Sequence, residues 1–328
     1  MLIKPDFTYV YYETKEKLFE IFRDKYRSGE LTKDNKKVMV LLGSSRLLYF
    51  DSKELENFYP DWEIYNFSSA VTTPAYYYYY LEKIVDSGIK PDLVVIETDP
   101  NQFNQNSIFK ESNLTYSFDL PFIFRYASLF GRDYFNYYIG KSMFAVMVNK
   151  PYLDAAFRNL KNPNLPLVEQ MKENIRNSLI VQKGHAQSPV EDYIEKDFSV
   201  IDATSDRTLD WLFSSYKSSE MQFNFFEMIL AKTRESKIPL LIVWPQSSKP
   251  MQDRLKKSSL LKEWESEVTE LAGKYEYKIH NMDNTDDYYC NSFADGGHIA
   301  KDCYRPFIRY IFLQYLKEFH PKSVVEQK

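Results

Sequence analysis

Residues 37–46 read KVMVLLGSSR: an aliphatic and β-branched run, Lys37 to Leu42, that stops at a glycine and two serines. A continuous apolar run of this length suits a strand covered on both faces, as in a parallel sheet. Four other segments repeat the pattern: Trp62 to Asn66 (WEIYN), Asp92 to Glu97 (DLVVIE), Pro239 to Trp244 (PLLIVW) and the weaker Tyr277 to Asn281 (YKIHN). Helical patterns lie between them: Thr14 to Ser28, stopped by Gly29; Leu47 to Asn57; Pro74 to Asp86, with Pro74 in a first turn; Ser205 to Lys237; Ser258 to Lys274; and Ile299 to Phe319. The alternation predicts a doubly wound α/β fold with a mainly parallel five-stranded sheet flanked by helices.

Roughly 140 residues separate the third and fourth runs, far more than one crossover needs. Residues 1–328 therefore read as one α/β domain carrying a helical insertion over about 104–204, a cap or lid. The insertion contains Pro121 to Val148, dense in Phe and Tyr, a Pro/Asn joint at Lys161 to Pro166, and Lys183 to Pro189 (KGHAQSP), which reads as a flexible loop. A chain leaving strand three starts at the carboxyl edge of the sheet, where ligands bind in such folds. The insertion should overhang that edge, give it a partly apolar wall, and move most at Lys183 to Pro189. His185 in that loop reads as solvated, or else as part of a lid. The five tyrosines Tyr76 to Tyr80 could line an acyl or sugar site, but their helical spacing suits core packing.

The 328 residues carry a net charge of -4 and 44% hydrophobic residues, so nothing in the composition suggests nucleic-acid binding, disorder or a bilayer-embedded chain. No apolar run is long enough to span a membrane. The N-terminal MLIKPDFTYVYYETKEK does not look like a signal peptide. The expectation is a cytoplasmic chain, or a periplasmic or envelope-associated one if a leader was removed. Two cysteines, Cys290 and Cys303, exclude a disulfide scaffold and a Cys-based zinc site, and could pair only in an oxidising compartment. Four histidines show no metal-ligand spacing, and neither metal nor cofactor is expected.

Chemistry concentrates at two glycine-bearing turns in a chain with only nine glycines. In Leu42-Gly43-Ser44-Ser45-Arg46 a hydroxyl is offered where a strand turns into a helix, beside N–H groups suited to an oxyanion. The same residues would also serve as an ordinary turn and N-cap. In Phe293-Ala294-Asp295-Gly296-Gly297-His298 the carboxylate can fold back onto imidazole Nδ1–H and leave Nε2 free as a base. Asp295 could instead be a simple N-cap. Arg46 could hold a substrate anion or form an ion pair.

Together these residues resemble the SGNH (GDSL-like) hydrolase and acyltransferase superfamily, with Gly43-Ser44-Ser45 standing where Gly-Asp-Ser is usual. The variant is similar to the branch that includes the D-alanyl lipoteichoic acid transfer proteins. The resemblance covers roughly 37–104 and 238–318. It implies Ser45 as nucleophile, Asp295 and His298 as its partners, and an oxyanion hole built from the N–H of Ser45, an N–H of Ala70 or Val71, and the Asn101 side chain. Asp99 stands for the usual third-block glycine, Gln102 for its aspartate, and no glycine stands in Asn66 to Thr72. Two functions follow. The first is a serine esterase or O-acyltransferase acting on a small-molecule or glycan ester, such as a cell-envelope component. The second is an inactive SGNH-like protein that binds a glycan or a partner protein.

Overall fold

The computed structural model describes residues 7–143, 165–187, 198–213 and 215–321. Five strands form one parallel sheet: β1 (Lys37–Leu42), β2 (Trp62–Asn66), β3 (Leu93–Glu97), β4 (Leu240–Trp244) and β5 (Ile279–Asn281). Their spatial order is β2-β1-β3-β4-β5, the doubly wound order in which ligands sit at the β1/β3 switch point. Register pairs Leu41 with Asn66 and Val95, and Ile96 with Ile242.

Alternating side chains supply two cores. Val38, Val40, Leu42, Val94, Ile96, Leu240 and Ile242 face one layer. It includes α1 (Phe7–Arg27), α3 (Pro74–Asp86), α9 (Glu220–Glu235) and α11 (Ser259–Lys274). Met39, Leu41, Leu93, Val95, Leu241 and Val243 face the other, with α2 (Ser52–Phe58) and α12 (Tyr304–Phe319). The remaining sheet-flanking helix, α10 (Lys249–Lys257), follows β4. Tyr76 to Tyr80 are all buried. They are core residues, because α3 is covered by α1, α9 and the insertion together.

Between β3 and β4 lie α4 (Asn113–Tyr116), α5 (Leu120–Arg125), α6 (Ala127–Met143), α7 (Leu165–Val181) and α8 (Phe198–Leu212). Among the described residues, most of the insertion aromatics pack inward rather than forming an open apolar wall. Phe109, Phe118, Phe122, Phe130 and Tyr138 are buried in the first core, where Phe122 and Phe130 lie against Phe225 of α9. The expected helix Ser205 to Lys237 is two helices. The break holds Ser218, which bridges Asn104 antiparallel, while Asn104 Nδ2 donates to Leu212 O. The insertion thus leaves and returns through one zipped neck. The end of the aromatic stretch at Val148, most of the joint Lys161 to Pro166, and Ser188 and Pro189 of the expected loop lie outside the described residues.

Lys183 to Ala186 is a buried strap rather than a flexible loop. Lys183 O accepts from Asn66 N–H, and Ala186 N–H donates to Leu48 O. Gly184, at φ +91°, is necessary, since a Cβ there would lie 2.9 Å from the Asn66 carbonyl carbon. His185 is fully buried: Nδ1 accepts from Asn66 Nδ2 at 3.1 Å and Nε2–H donates to Ile64 O at 3.3 Å. It is neither solvated nor a lid residue. Burial, with Lys15 nearby, pulls its pKa down to about 3. Among the described residues no helix is long and apolar enough to cross a membrane.

Candidate active site

β1 runs out at Leu42, and its next residue must let β3 approach. A Cβ on Gly43 would lie 2.8 Å from Leu47 Cβ and 2.9 Å from Glu97 Oε2. That space lets the Glu97 carboxylate, buried at the end of β3, hold the turn. Ser44 N–H donates to Glu97 Oε2 at 2.6 Å and Ser44 Oγ–H to Oε1 at 2.8 Å. Gln102 Nε2 donates to the same Oε1 at 2.9 Å. Burial raises the Glu97 pKa, with Arg46 and the Ser44 donors pulling against it.

Ser44 thus faces inward and Ser45 carries the free hydroxyl. Its Oγ lies 2.8 Å from His298 Nε2. His298 Nδ1 in turn lies 3.0 and 2.9 Å from Asp295 Oδ1 and Oδ2. Asp295 Oδ1 also accepts from the N–H groups of Gly297 and His298, each at 2.8 Å. Burial opposes the charge of Asp295, but these donors and His298 outweigh it and hold its pKa below the usual carboxylate value. An Nδ1–H bonded to a carboxylate leaves Nε2 as the acceptor for Ser45 Oγ–H.

The Asp-His turn is gripped from two sides. An antiparallel bridge joins Phe293 to Ile299, so the last helix starts only at Tyr304 rather than Ile299. A disulfide links Cys290 to Cys303 across the base of this loop. Gly296 lies against α8: a Cβ there would be 2.6 Å from Ser205 Cα, and its N–H donates to Thr204 Oγ1 at 3.0 Å. The far end of the insertion therefore does reach the site, through Thr204 and Ser205.

The Arg46 guanidinium is taken up by internal partners. It is buried, its Nη1 pairs with Asp99, and its Nη2 donates to Gln246 O at 3.1 Å and Ser247 Oγ at 3.2 Å. Of the two readings of Arg46, the ion pair is the one present. Asp283 sits near this network, accepting from Ser247 N–H at 3.0 Å, and burial pushes its pKa up to about 6. Asn101 follows Asp99 and gives it one side-chain N–H.

The segment after β2 arches over the Gly43–Arg46 turn. Ser69 N–H and Thr72 Oγ1–H both donate to Gly43 O, at 3.1 and 2.7 Å. The N–H groups of Ser45, Ala70 and Val71 have no acceptor among the described residues. The expected helix Leu47 to Asn57 is instead a 3₁₀ turn, Ser45–Leu47, and then α2, Ser52–Phe58, which Asp51 caps. A cavity of about 270 Å³ opens beside this turn, lined by Tyr49, Ser52, Lys53, Gln187, Lys301 and Tyr304.

Sequence reasoning missed Glu97, Thr204 and Ser205. Glu97 had a signal, an ionisable residue ending the apolar run DLVVIE. The others did not, since their roles arise from the insertion's packing. Among the described residues the one cluster of metal-ligand type is Cys290, Asp302 and Cys303, and its two sulfurs are joined in the disulfide. A family model described as "Protein of unknown function (DUF1574)" matches residues 2–315. No curated protein matches the chain.

Proposed function

The chain belongs to the DUF1574 family, and on that premise we propose that it is a serine ester hydrolase or O-acyltransferase of the SGNH type. The observation that carries this reading is the continuous chain of contacts from Ser45 Oγ through His298 to Asp295. Ser45 Oγ attacks the ester carbonyl carbon as its proton passes to His298 Nε2. The tetrahedral oxyanion is met by the N–H groups of Ser45 and the Ala70–Val71 segment, with the second Asn101 side-chain N–H available to it. His298 then protonates the leaving alkoxide, giving an acyl-serine. Water or an acceptor hydroxyl completes the cycle by the reverse steps. The same residues serve hydrolysis and transfer, and exclusion of water selects between them.

The Cys290–Cys303 disulfide supports an oxidising compartment. It therefore favours an acylated envelope glycan or similar ester over a cytoplasmic metabolite. The test is covalent labelling with a fluorophosphonate. Label on Ser45 that disappears in Ser45→Ala is expected. A folded, oxidised protein that takes no label would favour the alternative, an inactive SGNH-like binder of a glycan or partner protein.

A further inference from the structure

The arch that would supply the second oxyanion donor is held by two residues from elsewhere in the chain, one on α1 and one in the insertion. Asn113, fully buried at the start of α4 in the insertion, has its Oδ1 3.0 Å from Thr73 N and 3.1 Å from Thr73 Oγ1. Its Nδ2 donates to Val71 O at 2.8 Å and lies 3.1 Å from the Tyr12 hydroxyl. Tyr12, on α1, donates that hydroxyl to Ala70 O. The carbonyls of Ala70 and Val71 are thus both held by this pair. In a trans peptide the C=O and N–H point in opposite directions. Turning Ala70 C=O toward Tyr12 therefore sends Val71 N–H away from it. Gly43 O, gripped by Ser69 and Thr72, fixes the arch beside the nucleophile turn.

The conformation is not one the arch would choose by itself. Val71 has φ +52°, a left-handed backbone that is an outlier for a β-branched residue. Without the two grips, Val71 would relax to negative φ and carry the Ala70–Val71 peptide round with it. We propose that Asn113 and Tyr12 are positioning residues that hold the Ala70–Val71 peptide as an oxyanion donor. This role rests on the acyl-serine reading above.

The experiment measures the rate of fluorophosphonate labelling. In this reaction Ser45 Oγ replaces fluoride on phosphorus, His298 takes the hydroxyl proton, and the phosphoryl oxygen stands for the oxyanion. Asn113→Ala should slow labelling roughly 10- to 100-fold, less than the roughly 10²–10³-fold of an oxyanion donor lost outright, because the donor is displaced rather than removed. Tyr12→Phe, a milder change, should slow it less. On a model ester the loss should fall on kcat, with KM little changed. Adding Val71→Gly to Asn113→Ala should recover much of the rate, because glycine adopts positive φ without strain. A purely structural defect would not respond to that second change. Labelled wild type with an unslowed Asn113→Ala, or slowing that Val71→Gly leaves untouched, would overturn the clamp alone. Unlabelled wild type would overturn the acyl-serine reading, and the clamp's role with it.

Discussion

At the scale of single residues, the positions at which the chain differs from the SGNH pattern proposed for it lie together. Ser44 stands where an aspartate is usual, and its hydroxyl and N–H both donate to the buried Glu97. An aspartate here would set two carboxylates against each other in a site with little water. Gln102, standing for the usual third-block aspartate, also donates to Glu97, and Asp99, standing for the glycine, neutralises Arg46. Ser44 and Gln102 thus converge on Glu97, with the Arg46–Asp99 pair beside them, at the turn that carries Ser45. We expect Ser44→Asp to lower the melting temperature and slow Ser45 labelling, and Ser44→Asp with Glu97→Gln to recover part of both. Equal damage in the single and double variants, by thermal melts and labelling, would refute the coupling. Asp295→Asn should leave the fold in place and reduce kcat on a model ester by on the order of 10⁴-fold, the effect of losing the carboxylate that sets the histidine tautomer. A loss under tenfold would remove Asp295 from the mechanism. The Gly-Ser-Ser and Asp-x-x-His motifs were legible because they are local. Glu97 was legible only as an oddity, since its meaning depends on β1 and β3 being neighbours.

At the scale of elements, strands were read well and connections poorly. Lys37–Leu42 and Trp62–Asn66 match their sequence limits because a strand buried on both faces is apolar throughout. Lys183 to Ala186 was misread because Gly, His and Lys are loop-like by composition, whereas here their backbone bonds to β2 and the 3₁₀ turn. This buried strap yields a pH prediction. His185 has a folded pKa of about 3 against roughly 6.5 unfolded. Between those values the unfolded chain binds the extra proton, so the stability that neutral His185 contributes is fully present above the unfolded pKa. It is lost as pH falls, by about 1.4 kcal/mol per pH unit. Asp283, raised to about 6, acts oppositely: its folded form holds the proton more tightly, so its contribution grows as pH falls through that range. The difference in slope between wild type and His185→Gln isolates the histidine. Urea unfolding between pH 4.5 and 7 should give the variant the shallower acid loss, and parallel curves would contradict the assignment. Gly296→Ala tests a second junction. Its Cβ would meet the backbone of α8 at Ser205 as well as the Ser205 hydroxyl, and the backbone cannot swing aside. We expect a loss of about 1–3 kcal/mol and slower labelling; unchanged values in both measurements would mean α8 does not brace the Asp-His turn.

At the scale of the whole molecule, the site joins parts of the chain that only the finished fold brings together. Ser45 comes from the first βα turn, the arch is held by α1 and the insertion, and His298 comes from a loop near the other end. The sheet order made the Ser45 and His298 edges predictable, because parallel strands present their carboxyl ends on one side. The insertion's grip was not, because Asn113, Thr204 and Ser205 acquire roles only through tertiary contact. The loop carrying Asp295 and His298 lies between β5 and α12, and the disulfide closes it over a separation of 13 residues. Cys303 is fully buried in the second core, so the bond ties that loop directly to the base of α12. Closing a loop of about this size restricts the unfolded chain by roughly 3 kcal/mol. Reduction, or Cys290→Ser with Cys303→Ala, should lower stability by about that amount, measured by urea unfolding with and without reductant. The effect on chemistry should exceed the loss of folded protein, because the loop that frees itself is the one aiming Nε2 at Ser45. At a temperature where the reduced protein remains folded by circular dichroism, labelling of Ser45 should still be slower than in the oxidised form. Equal labelling rates there, with only the melting temperature changed, would make the disulfide a general staple with no bearing on the alignment of His298.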